Sequence, residues 1–280
     1  MKNLGFVCLL LLLSLTGCGE YNAIMKHADT EYKYEAAKGY YALGKYVYAS
    51  ELLNSVVLSM KGSTYGEECL YLLAMSSFMH KDYEIASTAF KKYYQSYPRG
   101  IYVEEARYYS ALSLFNTIPD PRLDQTTTKQ AEAELQSFLD HYPDTRLKEQ
   151  SQEMLQRLQD HLVEKEYRTA KLYYDLGSYI GNCTSGGSNY EACIVTSENA
   201  LRDFPYASSE RREQFQFLVL RSRFHLARQS VEEKRLERFR QTIDDYYGFV
   251  NEFPESTHLK EAQSYLTRSQ KALKGQDLED

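Results

Sequence analysis

The stretch Ala86–Tyr109, ASTAFKKYYQSYPRGIYVEEARYY, decides the fold. It reads as the second helix of a helical hairpin that stops at Tyr97-Pro98, followed by a short turn and a new helix that opens on Glu104-Glu105. Proline ends a helix because it lacks an N–H and clashes with the preceding turn. An aromatic residue and a proline follow an apolar helix three more times, at Tyr142-Pro143, Phe204-Pro205 and Phe253-Pro254. Recurrence at this length predicts a solenoid of stacked helix pairs.

The first helices of three hairpins repeat in register, with a step of 37 residues. Glu31, Tyr34, Ala37 and Tyr41 match Glu68, Tyr71, Ala74 and Phe78, which match Glu105, Tyr108, Ala111 and Phe115; in the second helices, Tyr46 and Ala49 match Tyr83 and Ala86. A small Ala lets two helices approach closely, and the Tyr three residues earlier wedges the turn. This pattern resembles a tetratricopeptide repeat. We therefore predict an all-α fold of about five helical hairpins, with a long central helix and a C-terminal capping helix.

The first 17 residues have the features of a lipoprotein signal peptide. A short basic start precedes the apolar run Phe6–Leu15, which is too short to remain as a spanning helix. Leu15-Thr16-Gly17-Cys18 resembles a bacterial lipobox, which implies cleavage before Cys18 and lipid on its sulfur and amino group. Two or three acyl chains anchor a protein stably. The alternative is ordinary secretion with a chance cysteine. Gly19, which is not Asp, favours export to the outer membrane if enterobacterial sorting applies.

The remaining boundaries follow from Gly, Pro and helical periodicity. We predict a lipidated tether over 18–27, three N-terminal repeats over 28–143 with an inserted loop at 116–128, a long linking helix or two nearly collinear ones over 144–177, and two C-terminal repeats with the capping helix over 178–280. The Gly/Ser-rich loop 177–189 divides the fourth hairpin.

The sequence shows no pattern that points to an enzyme. Its six His residues form no metal-ligand spacing, and Cys69 lies among leucines, as a buried cysteine does. We expect no catalytic residue, metal or cofactor. A pI of 5.6 and the absence of a basic block argue against a nucleic-acid partner.

Cys183 and Cys193 bracket the Gly/Ser-rich loop. In an oxidising envelope compartment they are a candidate disulfide, which would stabilise the fold by roughly 2–3 kcal/mol in the chain-entropy model. Two free thiols are the alternative, and the sequence leaves both open.

Six aromatic residues form a candidate groove for an extended peptide: Tyr34, Tyr41, Tyr71, Phe78, Tyr108 and Phe115. Positions seven apart share one face of a helix, and equivalent positions on successive first helices form a row. In tetratricopeptide arrays that row often lines the concave groove, where Glu31, Glu68 and Glu105 would lie at the rim. The alternative is that half or more of these rings simply pack between helices.

The segment Leu155–Tyr174, followed by Gly177, Tyr190 and Leu201–Pro205, resembles the BamD family of outer-membrane assembly lipoproteins. The resemblance covers essentially the whole mature chain. It implies a lipid-anchored subunit of the β-barrel assembly machinery on the periplasmic side of the outer membrane. The N-terminal repeats would receive unfolded β-barrel proteins, and the C-terminal repeats would dock on the periplasmic domains of BamA and contact other subunits.

Within this resemblance, Tyr167, Tyr173 and Tyr174 are candidates for partner binding. The loop between Gly177 and Tyr190, the 116–128 insertion and the C-terminal helix depart from the family pattern, so the accessory partners stay open. Two rival interpretations are a glycan-binding lipoprotein of the starch-utilisation (SusD-like) type and a general envelope adaptor. Proteins of the first kind are usually much longer and hold sugars with Trp, and this chain has none.

Overall fold

A computed structural model describes residues 17–179 and 188–276, without the side chains of residues 17 and 18. Within these ranges every regular element is a helix. The helices are α1 (Gly17–Met25), α2 (Thr30–Ala42), α3 (Tyr46–Val56), α4 (Gly66–Met79), α5 (Tyr83–Ser96), α6 (Val103–Phe115), α7 (Thr126–His141), α8 (Lys148–Leu176), α9 (Asn189–Asp203), α10 (Ser209–Arg228), α11 (Glu232–Glu252) and α12 (Leu259–Leu273). The all-α prediction is confirmed.

The chain divides into two compact units, and the boundary falls inside α8. Unit 1 comprises the residues up to Pro119 together with Gln125–Leu158, and unit 2 comprises Asp120–Asp124 together with the residues from Gln159 onward. Helix α8 is one continuous helix of 29 residues, about 43 Å long at 1.5 Å per residue. The sequence left one helix or two collinear ones open, and the structure forms one.

Unit 1 contains the three hairpins that the repeat predicts: α2 with α3, α4 with α5, and α6 with α7. The small residues at the crossings, Ala49 and Ala86, are completely buried, as are Ala37 and Ala74 on the facing first helices. Tyr46 packs edge-on against Tyr41 with ring centroids 5.4 Å apart, and the matching pair in the next hairpin lies 5.5 Å apart. The predicted register and turn wedge are therefore confirmed.

The predicted aromatic–proline pairs end the second helices of four hairpins, and the aromatic residue has the same backbone conformation in all four. Tyr97, Tyr142, Phe204 and Phe253 are the C-cap residues of α5, α7, α9 and α11, with φ between −129° and −122° and ψ of 65–66°. A proline clashes with an α-helical residue before it and moves that residue out of the helical region. The sequence signal and the backbone geometry thus have the same cause.

Unit 2 contains the C-terminal part of α8 with α9, the hairpin of α10 and α11, and the closing helix α12. Ala170 and Cys193 are fully buried where α8 and α9 meet, so Cys193 occupies the place of the crossing Ala in the other hairpins. Phe224, Phe239 and Phe249 are fully buried in the core of the last hairpin.

The structure corrects two sequence predictions about local structure. Residues 18–27, predicted to be a tether, belong largely to α1, and Tyr21 and Ile24 of this helix are buried in the core of unit 1. The Tyr21 ring packs against Tyr48, and its hydroxyl donates a hydrogen bond to the Glu51 carboxylate. The predicted 116–128 loop is shorter, because α7 already begins at Thr126.

Candidate functional site

The matched tyrosines Tyr34, Tyr71 and Tyr108 are buried, with 0%, 7% and 4% of their surface exposed. They lie in the cores of unit 1 and pack between helices. The prediction that these tyrosines line an open groove is wrong, because a neighbouring repeat covers this face of the first helix. The alternative that the sequence left open, packing between helices, is the one observed.

The hydroxyls of two of these tyrosines join successive repeats. Tyr34 donates a hydrogen bond to the Glu68 carboxylate at 2.6 Å, and Tyr71 donates to Glu105 at 2.5 Å. Burial, and then donation to a carboxylate, raises the pKa of both tyrosines above the ordinary value. Glu68 and Glu105 were predicted at the rim of the groove, and they are instead acceptors that tie each first helix to the preceding one.

In α4 and α6, a second carboxylate fixes the turn that follows an aromatic–proline stop. Glu67 accepts from the Tyr93 hydroxyl at 2.6 Å and from the Ile101 N–H at 3.0 Å. One repeat later, Glu104 accepts from the Thr145 hydroxyl at 2.7 Å. Sequence analysis missed this role, although adjacent Glu pairs at the 37-residue step carry the signal.

Three aromatic residues of the candidate groove remain half-buried at one position per repeat: Tyr41, Phe78 and Phe115. We call them the aromatic row. They lie at the C-terminal ends of α2, α4 and α6, where each hairpin turns. The rings of Tyr41 and Phe78 touch the following helix with one edge, and Phe115 lies 4.8 Å under the Arg157 guanidinium. The structure thus leaves this half of the predicted set partly accessible to a ligand.

Tyr109 of the third hairpin contacts the aromatic row at Phe78 and was missed by sequence analysis. Its half-buried ring lies 5.0 Å from Phe78 and stacks at 5.5 Å on Phe90. Burial raises the pKa of Tyr41, and the nearby phenols of Tyr46 and Tyr109 raise it further. Phe78 and Tyr109 therefore form one aromatic contact between the second and third hairpins, and Tyr41 of the first hairpin lies near Tyr109.

The candidate partner-binding tyrosines lie in unit 2 and are half-buried there. The Arg211 guanidinium lies 4.3 Å above the Tyr167 ring, and the Arg221 guanidinium lies 4.4 Å above Tyr174. Tyr173 packs against the core beside them. Their role toward a partner stays a prediction.

Two predictions concern covalent bonds of cysteines that the structure describes only in part. The Cys18 side chain and all of Cys183 lie outside the described residues, so lipid attachment and the disulfide stay predictions. Cys193 is buried. In the described part of the chain, no cluster of three His, Cys, Asp or Glu residues is arranged to hold a metal ion. None of the described helices combines the length and hydropathy that crossing a membrane requires.

Comparison with known proteins places the chain in a family. The model of the YfiO family, described as outer membrane lipoprotein, matches residues 26–184, which is more than half of the chain. The chain belongs to this family. The resemblance in the sequence is thereby confirmed, and this YfiO family protein belongs to a family of outer membrane lipoproteins.

Two further proteins are similar to this YfiO family member. A putative outer membrane protein assembly factor BamD of Aquifex aeolicus (strain VF5) is 26% identical over 206 residues, which are 74% of this chain and 61% of that protein. The chain thus matches less than two thirds of the relative's length. A solved thermophilic TPR protein of Thermus thermophilus covers 85% of this chain and all of its own at 15% identity, with a TM-score of 0.30.

Proposed function

We propose that this protein is a non-enzymatic subunit of the outer-membrane β-barrel assembly machinery. The N-terminal repeats bind unfolded outer-membrane proteins, and the C-terminal repeats dock on the periplasmic domains of BamA, with the lipid anchor holding the chain on the periplasmic side. Membership in the YfiO family and the assembly factor of Aquifex aeolicus support this assignment.

The observation that carries the substrate-binding part is the aromatic row. Buried first-helix tyrosines hold the repeats together, whereas Tyr41, Phe78 and Phe115 recur at the same step and stay partly accessible. Partly exposed aromatic rings at regular intervals suit an extended chain with aromatic or aliphatic side chains. A helical surface offers no strand edge, so side-chain contacts must provide the recognition.

The substrate-binding part is tested with a peptide from the C-terminus of an outer-membrane β-barrel protein. Fluorescence anisotropy of the labelled peptide should show binding that weakens about tenfold in Phe78→Ala, the loss expected for a central aromatic contact. Ile85→Ala is the matched control, since Ile85 is 47% exposed but lies on the second helix of the same hairpin. Equal affinity of Phe78→Ala and the folded wild-type chain would contradict the proposed groove.

The docking part is tested by purification of the tagged, lipidated protein from detergent-solubilised membranes. Co-purification of BamA is expected. Retention on a glycan affinity gel without BamA would instead favour the glycan-binding alternative.

A further inference from the structure

The outer face of α2 is a repeat-packing face that has no repeat before it. In the second and third hairpins, the equivalent positions are all buried: Cys69, Leu73 and Ser76 on α4, and Ala106, Ser110 and Ser113 on α6. The second helix of the preceding hairpin covers them; the Ser110 hydroxyl, for example, donates to the Ser87 carbonyl on α5 at 3.4 Å.

In the first hairpin, these positions are Tyr32, Ala36 and Gly39; Tyr32 and Gly39 are exposed, and Ala36 is half-buried. Tyr32 is 48% exposed, and a Cβ added to Gly39 would meet no atom within 4 Å. Leu43, one turn further along the same stripe, is 71% exposed. A cleft of about 610 Å³ lies along this stripe, and Ile24 of α1 forms part of its wall.

Helix α1 fixes the predicted membrane anchor beside this cleft. Cys18 lies in the first turn of α1, and Glu20, two residues later, already lines the cleft. Tyr21 and Ile24 bury α1 in the core of unit 1, so the anchor is joined to the repeats by a packed helix. From Cys18 to Ile24 the axial rise is about 9 Å. Acyl chains on Cys18 therefore bring the bilayer to the edge of the cleft.

We infer that the open face of α2, which consists of Tyr32, Ala36, Gly39 and Leu43, lies against the phospholipid bilayer when Cys18 is acylated. Its chemistry suits the interface: Tyr32 presents a ring with a polar tip, and Leu43 presents an alkyl group. Lys45 at the cleft holds its ammonium 5.7 Å from the centre of the Tyr40 ring. The cleft also contains Glu20 and Glu35, and Glu35 pairs with Lys38 at 3.6 Å. The inference rests on lipid attachment at Cys18 and is independent of any role in barrel assembly.

The chain contains no Trp, which makes a single-tryptophan test direct. The lipidated Leu43→Trp protein is reconstituted in phosphatidylcholine vesicles with or without brominated acyl chains, and mass spectrometry verifies the acylation of Cys18. Bromine should reduce the tryptophan emission at least about twofold. Lipidated Ile101→Trp is the control, since Ile101 is 82% exposed in the turn after Pro98 and lies outside the stripe; its emission should stay unchanged.

Unquenched emission of Leu43→Trp in vesicle-bound, acylated protein would overturn the inference. The inference would also be overturned if the tryptophan at position 43 were shielded from aqueous iodide but not quenched by brominated lipid, because a polypeptide would then cover this face. Absence of lipid on Cys18 would overturn the inference as well, because the acyl chains are what bring the bilayer to this face. Each outcome is separate from the co-purification of BamA, so failure here is distinguishable from failure of the proposed function.

Discussion

Removal of the Tyr71 hydroxyl tests how the repeats are joined. Tyr71 is buried and donates to Glu105 at 2.5 Å, so its bond links the second repeat to the third. A hydrogen bond to a charged group stabilises a fold by about 1.5–3 kcal/mol. Glu105 is exposed and regains water in the variant, so we expect Tyr71→Phe to lower the free energy of unfolding by about 1 kcal/mol.

The chain offers a matched control one repeat later. Tyr108 is equally buried, but its hydroxyl has a sulfur contact with Met154 at 4.0 Å. Tyr108→Phe should therefore change the free energy of unfolding by less than about 0.5 kcal/mol, because a sulfur is a weak acceptor.

The assay is urea unfolding followed by far-UV circular dichroism, on unlipidated chains that carry Cys18→Ala. Each transition is fitted separately, since the chain has two compact units. A double-mutant cycle of Tyr71→Phe with Glu105→Ala should give a coupling of about 1 kcal/mol. A coupling near zero, or an equal loss in Tyr108→Phe, would refute the assignment of inter-repeat stability to the hydroxyl–carboxylate bond.

Three further predictions concern other parts of the chain. Gly44 and Lys81 occupy the same place in successive hairpins, with φ of 70° and 69°. In calorimetry, Gly44→Ala should lower the free energy of unfolding by about 1 kcal/mol, and Lys81→Gly should raise it by up to about 1 kcal/mol. A loss in Lys81→Gly would show that the backbone there is not strained. Burial raises the pKa of Asp245 to about 6, against attraction by Arg223. Because the folded pKa lies above the unfolded one, the free energy of unfolding should fall by up to about 3 kcal/mol between pH 4 and 7, and Asp245→Asn should flatten this slope. Finally, Cys18→Ala should release the protein from membranes, and its persistence after a carbonate wash would count against the lipid anchor.

Repetition in the sequence was sufficient to predict the paired helices of the repeats and their register. The aromatic–proline pairs end their helices for a local steric reason, and the crossing alanines repeat because close helix contact requires a small residue. Both are visible without the structure, and both are confirmed at Tyr97 and Ala86.

The same repetition did not predict which aromatic side chains are exposed to solvent. Tyr34 and Tyr71 occupy equivalent places in their helices, but this equivalence does not show whether the neighbouring repeat covers them. The row of rings on successive first helices predicted a groove, but the rings are buried, and a carboxylate of the next repeat accepts the hydrogen bond of each hydroxyl. The tether prediction for residues 18–27 was wrong because the segment is short and weakly periodic. The segment is largely helical because Tyr21 and Ile24 pack into a core that later helices form.

The proposal that the aromatic row holds unfolded polypeptides is tested most directly by crosslinking in growing cells. A photoreactive benzoylphenylalanine replaces Phe78 in the lipidated protein, and a second strain carries it at Ile85. Irradiation should give adducts with unfolded outer-membrane β-barrel proteins from position 78 and few from position 85. Adducts of equal yield at both positions, or none at position 78 while the protein remains bound to BamA, would contradict the account.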